Sequence, residues 1–187
     1  MKINLLSKHI LPLSLLFLIA YKTQANTYPQ HTNTFKTLAS NVTQQPHKTT
    51  IEQQMINYAR KNIGIPYVWG GTSPKGFDCS GFIKYVYSRF NISIPRTTAA
   101  YTLLFKHSIP LKDAKVGDLI VFTGTNLKIR RPGHAGIITE VKPGVIKFIH
   151  SSSSKKHFGV TETSYYQSGY PKRYLTVIRM PNPTIKE

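Results

Sequence analysis

Cys79 is the only cysteine in the chain, and it lies in the run Asp78-Cys79-Ser80-Gly81-Phe82. A single cysteine cannot form an internal disulfide, and a structural zinc site usually takes several Cys and His ligands at close spacing. Two interpretations remain, a small buried hydrophobic residue or a reactive thiol. A helix predicted to begin at Cys79 and capped by Asp78 favours the thiol, because helix N-terminal amide groups lower a thiol pKa that is ordinarily about 8.5.

A nucleophilic thiol also needs a base, usually a histidine that a third polar group holds in the right tautomer. Of the seven histidines, His134 and His150 each stand at the end of a predicted strand. The turn signal Pro143-Gly144 between those strands predicts an antiparallel hairpin, which would bring the two histidines together as base and orienting partner. The alternative for each is a structural hydrogen bond. The other five are expected in the signal segment, in the linker or on the surface: His9, His31, His47, His107 and His157.

Residues 1–25 have the composition of a secretory signal peptide. Lys2 and Lys8 precede an apolar run over residues 10–20, and Thr23-Gln24-Ala25 fits a cleavage site. The run has 11 residues, too few to cross a bilayer core of about 30 Å. We therefore expect an exported protein, periplasmic or extracellular at the cell envelope, with no membrane span after cleavage. An unpaired thiol in that oxidising compartment is a liability unless it has a function.

The chain is strongly basic, with 25 Lys and Arg against 7 Asp and Glu and a formal net charge of +18. Loss of Lys2, Lys8 and Lys22 with the signal peptide lowers that charge by three. Nucleic acid is not the expected partner, because no arginine-rich stripe, zinc-finger, homeodomain or RNP signature is present. An exported basic protein is expected instead to meet the anionic cell wall. A merely well-solvated surface is the alternative.

The domain organisation follows from composition. Residues 26–48 are rich in Thr, Gln, Asn and Pro, which predicts a disordered linker. Residues 49–181 are enough for one packed core, and residues 182–187 form a C-terminal tail. We expect a monomer.

Helices are predicted first and strands afterwards. A capping box at residues 49–52 begins a helix that ends near Gly64, a second helix begins at about Cys79, and a third covers about 98–105. Short β-branched segments follow at 118–122, 135–141, 145–150 and 174–180. This order predicts an α+β domain in which N-terminal helices pack on a central antiparallel sheet.

Six motifs occur in order along the domain, and together they resemble the NlpC family of bacterial cell-wall cysteine endopeptidases over about residues 52–180. They are Pro66-Tyr67-Val68-Trp69-Gly70-Gly71, Asp78-Cys79-Ser80-Gly81-Phe82, Pro95-Arg96-Thr97, Val116-Gly117-Asp118-Leu119, Gly133-His134-Ala135-Gly136-Ile137 and Ile149-His150-Ser151-Ser152.

The resemblance implies a papain-like fold and a thiolate that attacks an amide of the peptidoglycan stem peptide. Cys79 would be the nucleophile, His134 the base and His150 the polar third member. The mechanism implies no cofactor, and the two histidines lack a third ligand for a metal. The partner that it implies is peptidoglycan.

The same resemblance assigns a wider set of contacts. Tyr67 would lie beside the nucleophile and stabilise the oxyanion or contact substrate, with a packed aromatic as the alternative. Asp78 and Ser80 would line the substrate groove, although a helix cap also explains Asp78. Arg96 would either fix its loop to the next helix or face the substrate. Trp69 is expected in the core, and Ser151 to Ser154 in a polar loop.

Two stretches depart from the family pattern. Ala99-Ala100-Tyr101 stands where the family often has a glutamine, so substrate subsites could differ there. Residues 123–131 are long and basic, and we expect them to form a flexible lip that attracts the wall.

Three functions are therefore compared. The first is hydrolysis of stem peptides or their cross-links, which requires the thiol. The second is a wall-binding module in which Cys79 is a relic, and the third is acyl or amide transfer by a related papain-like fold. Hydrolysis and transfer use the same residues and differ in whether water or an amine takes the acyl group.

Overall fold

Two α-helices precede the sheet in the computed structural model, which describes residues 49–181 and 183–184. Helix α1 spans Ile51–Arg60 and α2 spans Cys79–Ser88. The N-cap of α1 is Thr50, whose hydroxyl accepts from the Gln53 amide at 3.2 Å, so the helix is capped one residue later than the predicted box at Thr49. The predicted signal peptide and linker lie outside the described residues.

A two-stranded ribbon and a six-stranded antiparallel sheet complete the fold. The strand bounds are Thr72–Ser73 (β1), Gly76–Phe77 (β2), Ser108–Ile109 (β3), Leu119–Thr123 (β4), Pro132–Lys142 (β5), Val145–Ser152 (β6), Gly159–Ser164 (β7) and Tyr174–Ile178 (β8). Short 3-10 segments at Thr98–His107, Leu111–Asp113 and Tyr170–Arg173 connect the strands. The ribbon pairs β1 with β2, and the sheet has the order β3-β8-β4-β5-β6-β7.

The predicted α+β class with helices beside an antiparallel sheet is confirmed. The third predicted helix is a 3-10 segment, and all four predicted strands are present. Strands β1, β2 and β3, of 2 residues each, and the 6-residue strand β7 were not predicted. No helix in the described part of the chain has the length and apolar character needed to cross a membrane.

Both faces of the sheet are covered by apolar side chains. Along β4, Leu119 and Val121 belong to the core that includes α1 and α2, whereas Ile120 and Phe122 belong to a second core on the other face. This is the period of two that a strand dictates. The resulting sheet is fixed on both sides, so it is a rigid base for the side chains at its strand ends.

Candidate active site

Cys79 is the first residue of α2, and two glycine-containing motifs fix its position. The Asp78 carboxylate caps the helix by accepting from the Gly81 amide at 2.6 Å, as predicted. The Asp78 amide donates to the Gly71 carbonyl at 3.0 Å. A side chain at position 81 would collide with that carbonyl, so glycine lets the first turn of α2 approach the loop.

The predicted hairpin of β5 and β6 is confirmed, with Lys142 opposite Val145 at the turn. It brings His134 and His150 together: the distance from His134 Nε2 to His150 Nδ1 is 2.8 Å. His150 Nε2 lies 3.0 Å from the Thr163 hydroxyl on β7. The three side chains form one chain of hydrogen bonds, which leaves Nδ1 of His134 as the nitrogen available to a thiol.

The histidine pair is packed among aromatic rings. His134 stacks beside Phe122 and Tyr170, with ring centroids 6.2 and 5.6 Å away, and Phe148 lies 4.9 Å from His150. Burial, the neighbouring His150 and the charge of Arg173 hold the pKa of His134 well below its usual value. Burial and Arg173 also lower the pKa of His150, to about 3. Both imidazoles are therefore neutral at pH 7.

The pKa of the Cys79 thiol is raised, although the sequence led us to expect a lowered pKa. Burial, followed by the negative charge of Asp78, raises its pKa to about 11, although the amides of Ser80 and Cys79 lower it. Desolvation of the charged form outweighs the helix N-terminus here. The cleft thus holds a neutral thiol and a neutral imidazole at rest, and charge has to form during the reaction.

A cleft of about 1020 Å³, which we call the active-site cleft, brings most of the predicted residues to one place. Tyr67 lies half-buried on its wall, and its ring meets that of Phe158 edge to face. Burial, Cys79 and Asp78 raise the pKa of the Tyr67 hydroxyl, so it stays a protonated donor. The residues that line the cleft include Tyr67, Asp78, Cys79, Ser80, Arg96 and His134.

Arg96 holds the beginning of α2 to the loop before it. Its guanidinium forms an ion pair with Asp78 at 2.7 Å, and it also donates to the Ser80 hydroxyl and the Gly70 carbonyl. Burial alone would raise the pKa of Asp78, but the hydrogen bonds from Arg96 and the Gly81 amide outweigh it and hold that pKa below its usual value. Arg96 therefore fixes its loop to the start of α2, and the residue also lines the cleft.

Two further expectations are wrong. Trp69 is not in the core but 88% exposed at the rim of the cleft, because the chain turns sharply at Gly70, whose φ is +76°. Ser151 and Ser152 are not in a loop but are buried at the end of β6, and Ser151 donates to the Phe77 carbonyl at 2.8 Å.

Three residues of the site were missed from the sequence. Thr163 is the partner of His150, the Tyr170 hydroxyl lies 3.3 Å from His134 Nε2, and Arg173 lines the cleft. A signal for Thr163 was available, since Gly159-Val160-Thr161 opens a β-branched run that ends at a serine. Among residues 49–181 and 183–184, no cluster of His, Cys, Asp or Glu is suited to hold a metal ion.

The model of the NlpC/P60 family matches residues 64–179. The chain belongs to the NlpC/P60 family. This membership confirms the resemblance and, together with the helices and antiparallel sheet, the predicted papain-like α+β fold. An NlpC/P60 protein from Bacillus cereus has the same fold, with a TM-score of 0.59, 29% identity and coverage of 70% of this chain and 40% of that structure.

Curated NlpC/P60 relatives are longer proteins. The chain is 34% identical to a gamma-DL-glutamyl hydrolase of Bacillus subtilis, over 70% of this chain and 29% of that protein. It is 33% identical to the murein DD-endopeptidase MepH of Escherichia coli, over 79% of this chain and 55% of that protein. The chain thus spans less than a third of the first of these relatives and about half of the second. The predicted hydrolase class agrees with both names.

Proposed function

We propose that this NlpC/P60 protein is a cysteine endopeptidase that hydrolyses amide bonds in peptidoglycan stem peptides or their cross-links. The observation that carries the proposal is the chain from His134 through His150 to Thr163, at distances of 2.8 and 3.0 Å, with His134 on the same cleft as the single thiol. A base held by a third group and placed beside a nucleophile is the arrangement that covalent catalysis requires.

The tautomers determine the direction of proton transfer. Thr163 accepts from His150 Nε2–H, which leaves His150 Nδ1 as an acceptor for His134 Nε2–H. His134 Nδ1 then carries a lone pair and takes the proton of the Cys79 thiol as Sγ attacks the substrate carbonyl carbon. The imidazolium that forms still donates Nε2–H to His150, so its orientation is kept.

The oxyanion of the tetrahedral intermediate accepts hydrogen bonds from the Cys79 backbone amide at the start of α2 and from the Tyr67 hydroxyl. His134 Nδ1–H next protonates the leaving amine nitrogen, and the C–N bond breaks to give a thioester on Cys79. Water attacks that thioester with His134 as base. The C–S bond then breaks, and His134 returns the proton to the sulfur of Cys79, which restores the thiol. The products are the released amine and a carboxylate.

Asp78, Ser80 and Arg96 bind the substrate beside the nucleophile in this proposal. The Gly81 amide and the Ser80 hydroxyl donate to one carboxylate oxygen of Asp78, and Arg96 donates to both oxygens, so the pair presents a fixed ionic surface to the cleft. Export to the periplasm or cell surface as a monomer, without nucleic acid as a partner, is part of the same proposal. The signal-peptide composition of residues 1–25 and the relative named as a murein endopeptidase support export to the envelope, and the lack of a nucleic-acid-binding signature supports the exclusion of nucleic acid.

Digestion of purified peptidoglycan tests the proposal. The protein and its Cys79→Ala variant are incubated with the polymer, and soluble fragments are identified by mass spectrometry. We expect fragments from the protein and none from Cys79→Ala, with fragment masses that name the bond, for example one between D-glutamate and diaminopimelate or one in a D-alanine cross-link.

Two other outcomes separate the competing functions. Binding of both proteins to the polymer without release of fragments would contradict the peptidase and favour a wall-binding module. Thiol-dependent products that carry an added amine instead of a new carboxylate would favour acyl transfer.

A further inference from the structure

A second cavity of about 630 Å³ adjoins the active-site cleft on the far side of the histidine pair. It is lined by His150, Lys156, Glu162, Thr163 and Gln167. The two cavities share four residues, namely Ser152, Ser154, Tyr170 and Arg173. A peptide bound at Cys79 can therefore continue into the second cavity past Arg173.

Arg173 is a fixed cation at this junction. Its Nη2 and Nε donate to the Thr123 carbonyl at 2.8 and 3.3 Å, and the guanidinium carbon lies 5.0 Å from the centre of the Tyr170 ring. A guanidinium has five N–H donors in a planar fork that fits a carboxylate. A half-buried cation that is already held in place binds an anion with a smaller loss of conformational freedom than a mobile lysine does.

The charges around Arg173 leave it without a carboxylate. Two acidic residues line the two cavities, and each is already in an ion pair: Asp78 with Arg96 at 2.7 Å and Glu162 with Arg60 at 2.8 Å. None of the ion pairs among the described residues includes Arg173 or Lys156. The junction therefore has an excess of positive charge.

We infer that the second cavity is a subsite for a free carboxylate of the substrate peptide, with Arg173 as the residue that selects it. The inference rests on the proposed peptidase function and adds the chemistry of one subsite. Stem peptides offer three such groups: the α-carboxylate of a γ-linked glutamate, the unlinked carboxylate of diaminopimelate and the chain terminus. A bidentate hydrogen bond from Arg173 to one of them orients the scissile amide at Cys79.

Four synthetic stem peptides test the inference, one with all carboxylates free and three with a single carboxylate converted to the amide at each of these positions. The values of kcat/KM are compared for the protein, Arg173→Gln and the control Lys84→Gln, an exposed lysine on α2 that lines neither cavity. Glutamine keeps a donor for the Thr123 carbonyl and removes the charge.

We expect amidation at one position to lower kcat/KM of the protein and of Lys84→Gln by about tenfold or more, the effect of losing a hydrogen bond to a charged group. Arg173→Gln should cleave that amide and the free peptide equally well. If Arg173→Gln lowers kcat/KM equally on all four peptides, Arg173 has only a general electrostatic or structural role and the inference is wrong. The inference is also wrong if Arg173→Gln still cleaves the free peptide better than the amide to the same degree as the protein.

Two controls keep the test decisive. Arg173→Lys retains the charge and should retain part of the discrimination between the peptides. If a lowered Tm shows that Arg173→Gln is poorly folded, the comparison rests on Arg173→Lys. The affinity of the same peptides for Cys79→Ala, and for the double variant with Arg173→Gln, is measured by calorimetry. This measurement does not depend on cleavage. If the protein hydrolyses none of the peptides, the peptidase proposal fails. The subsite is still supported if Cys79→Ala binds one amidated peptide more weakly than the free peptide and the double variant does not.

Discussion

Thr163 determines which nitrogen of His150 carries the proton and thereby sets the tautomer of His134. The Thr163→Val change keeps the shape of the side chain and removes the acceptor 3.0 Å from His150 Nε2. His150 could then place its proton on Nδ1, where it would face the N–H of His134. We expect kcat to fall by about tenfold with little change in KM, as for other outer-shell partners of a functional histidine.

Kinetics on a soluble stem peptide check this expectation. Thr163→Ser restores a hydroxyl at the same place and should recover most of the activity. A Thr163→Val variant with the kcat of the unchanged protein would show that the tautomer does not depend on this residue.

The pH profile follows from the environment of His134 itself. Burial, His150 and Arg173 hold its pKa well below 6.5. A base is active only while it is unprotonated, so lowering its pKa extends activity toward acid. We expect kcat/KM to stay level as the pH falls from 8 to 6.5 and to decline only at lower pH. An acid limb centred at or above pH 6.5 would contradict the buried, neutral pair.

At the scale of elements, the start of α2 is the part on which the site depends most. Asp78 caps the helix through Gly81 and pairs with Arg96. Asp78→Ala removes both contacts, and we expect the free energy of unfolding to fall by about 2 kcal/mol. Asp78→Asn keeps an oxygen that can accept from the Gly81 amide, so its loss should be about 1 kcal/mol smaller.

Urea unfolding of the two variants, followed by circular dichroism, measures the difference. Equal destabilisation by alanine and asparagine would mean that the cap contributes little and that the Arg96 pair dominates.

The elements that the sequence predicted are those with local signals. A cap residue marks the start of α2, and the Pro143-Gly144 turn with its flanking β-branched runs marks the hairpin that joins His134 to His150. Strand β7 was missed although Val160, Thr161 and Thr163 are β-branched, because the run follows a polar loop and its place in the sheet is defined by its pairing with β6. Thr163 was missed with it.

Burial was harder to foresee than element type. Apolar character suggested a buried Trp69, yet the turn at Gly70 directs the chain so that this ring is exposed. Helix position suggested a lowered pKa for Cys79, yet packing around the thiol raises it. The exposure of Trp69 and the pKa of Cys79 both depend on contacts between distant parts of the chain, and a local sequence pattern does not predict such contacts.

At the scale of the whole molecule, positive charge is the expected means of reaching an anionic wall. The lip at residues 123–131 contributes Gly124 and Thr125 to the cleft, and Arg130 donates to the Tyr174 carbonyl at 2.6 Å. Reversing the charge of Lys128, Arg130 and Arg131 should weaken sedimentation with purified peptidoglycan at low salt, and high salt should reduce the difference.

Charge reversal at Lys61, Lys84 and Lys112, three exposed lysines outside the lip, is the matched control. If both triple variants bind the wall equally well, total charge and not the lip determines the attraction. Unchanged binding of the lip variant at low salt would remove the lip from the proposal altogether.

Covalent capture of the substrate by Cys79 is the step on which all the proposed catalytic roles depend. The most direct measurement is the intact mass of the protein after mixing with a stem peptide and quenching in acid within the first turnover. We predict an added mass equal to the acyl fragment, located on Cys79 and absent from Cys79→Ala. Release of the same products by both proteins, with no adduct at any time, would contradict the account.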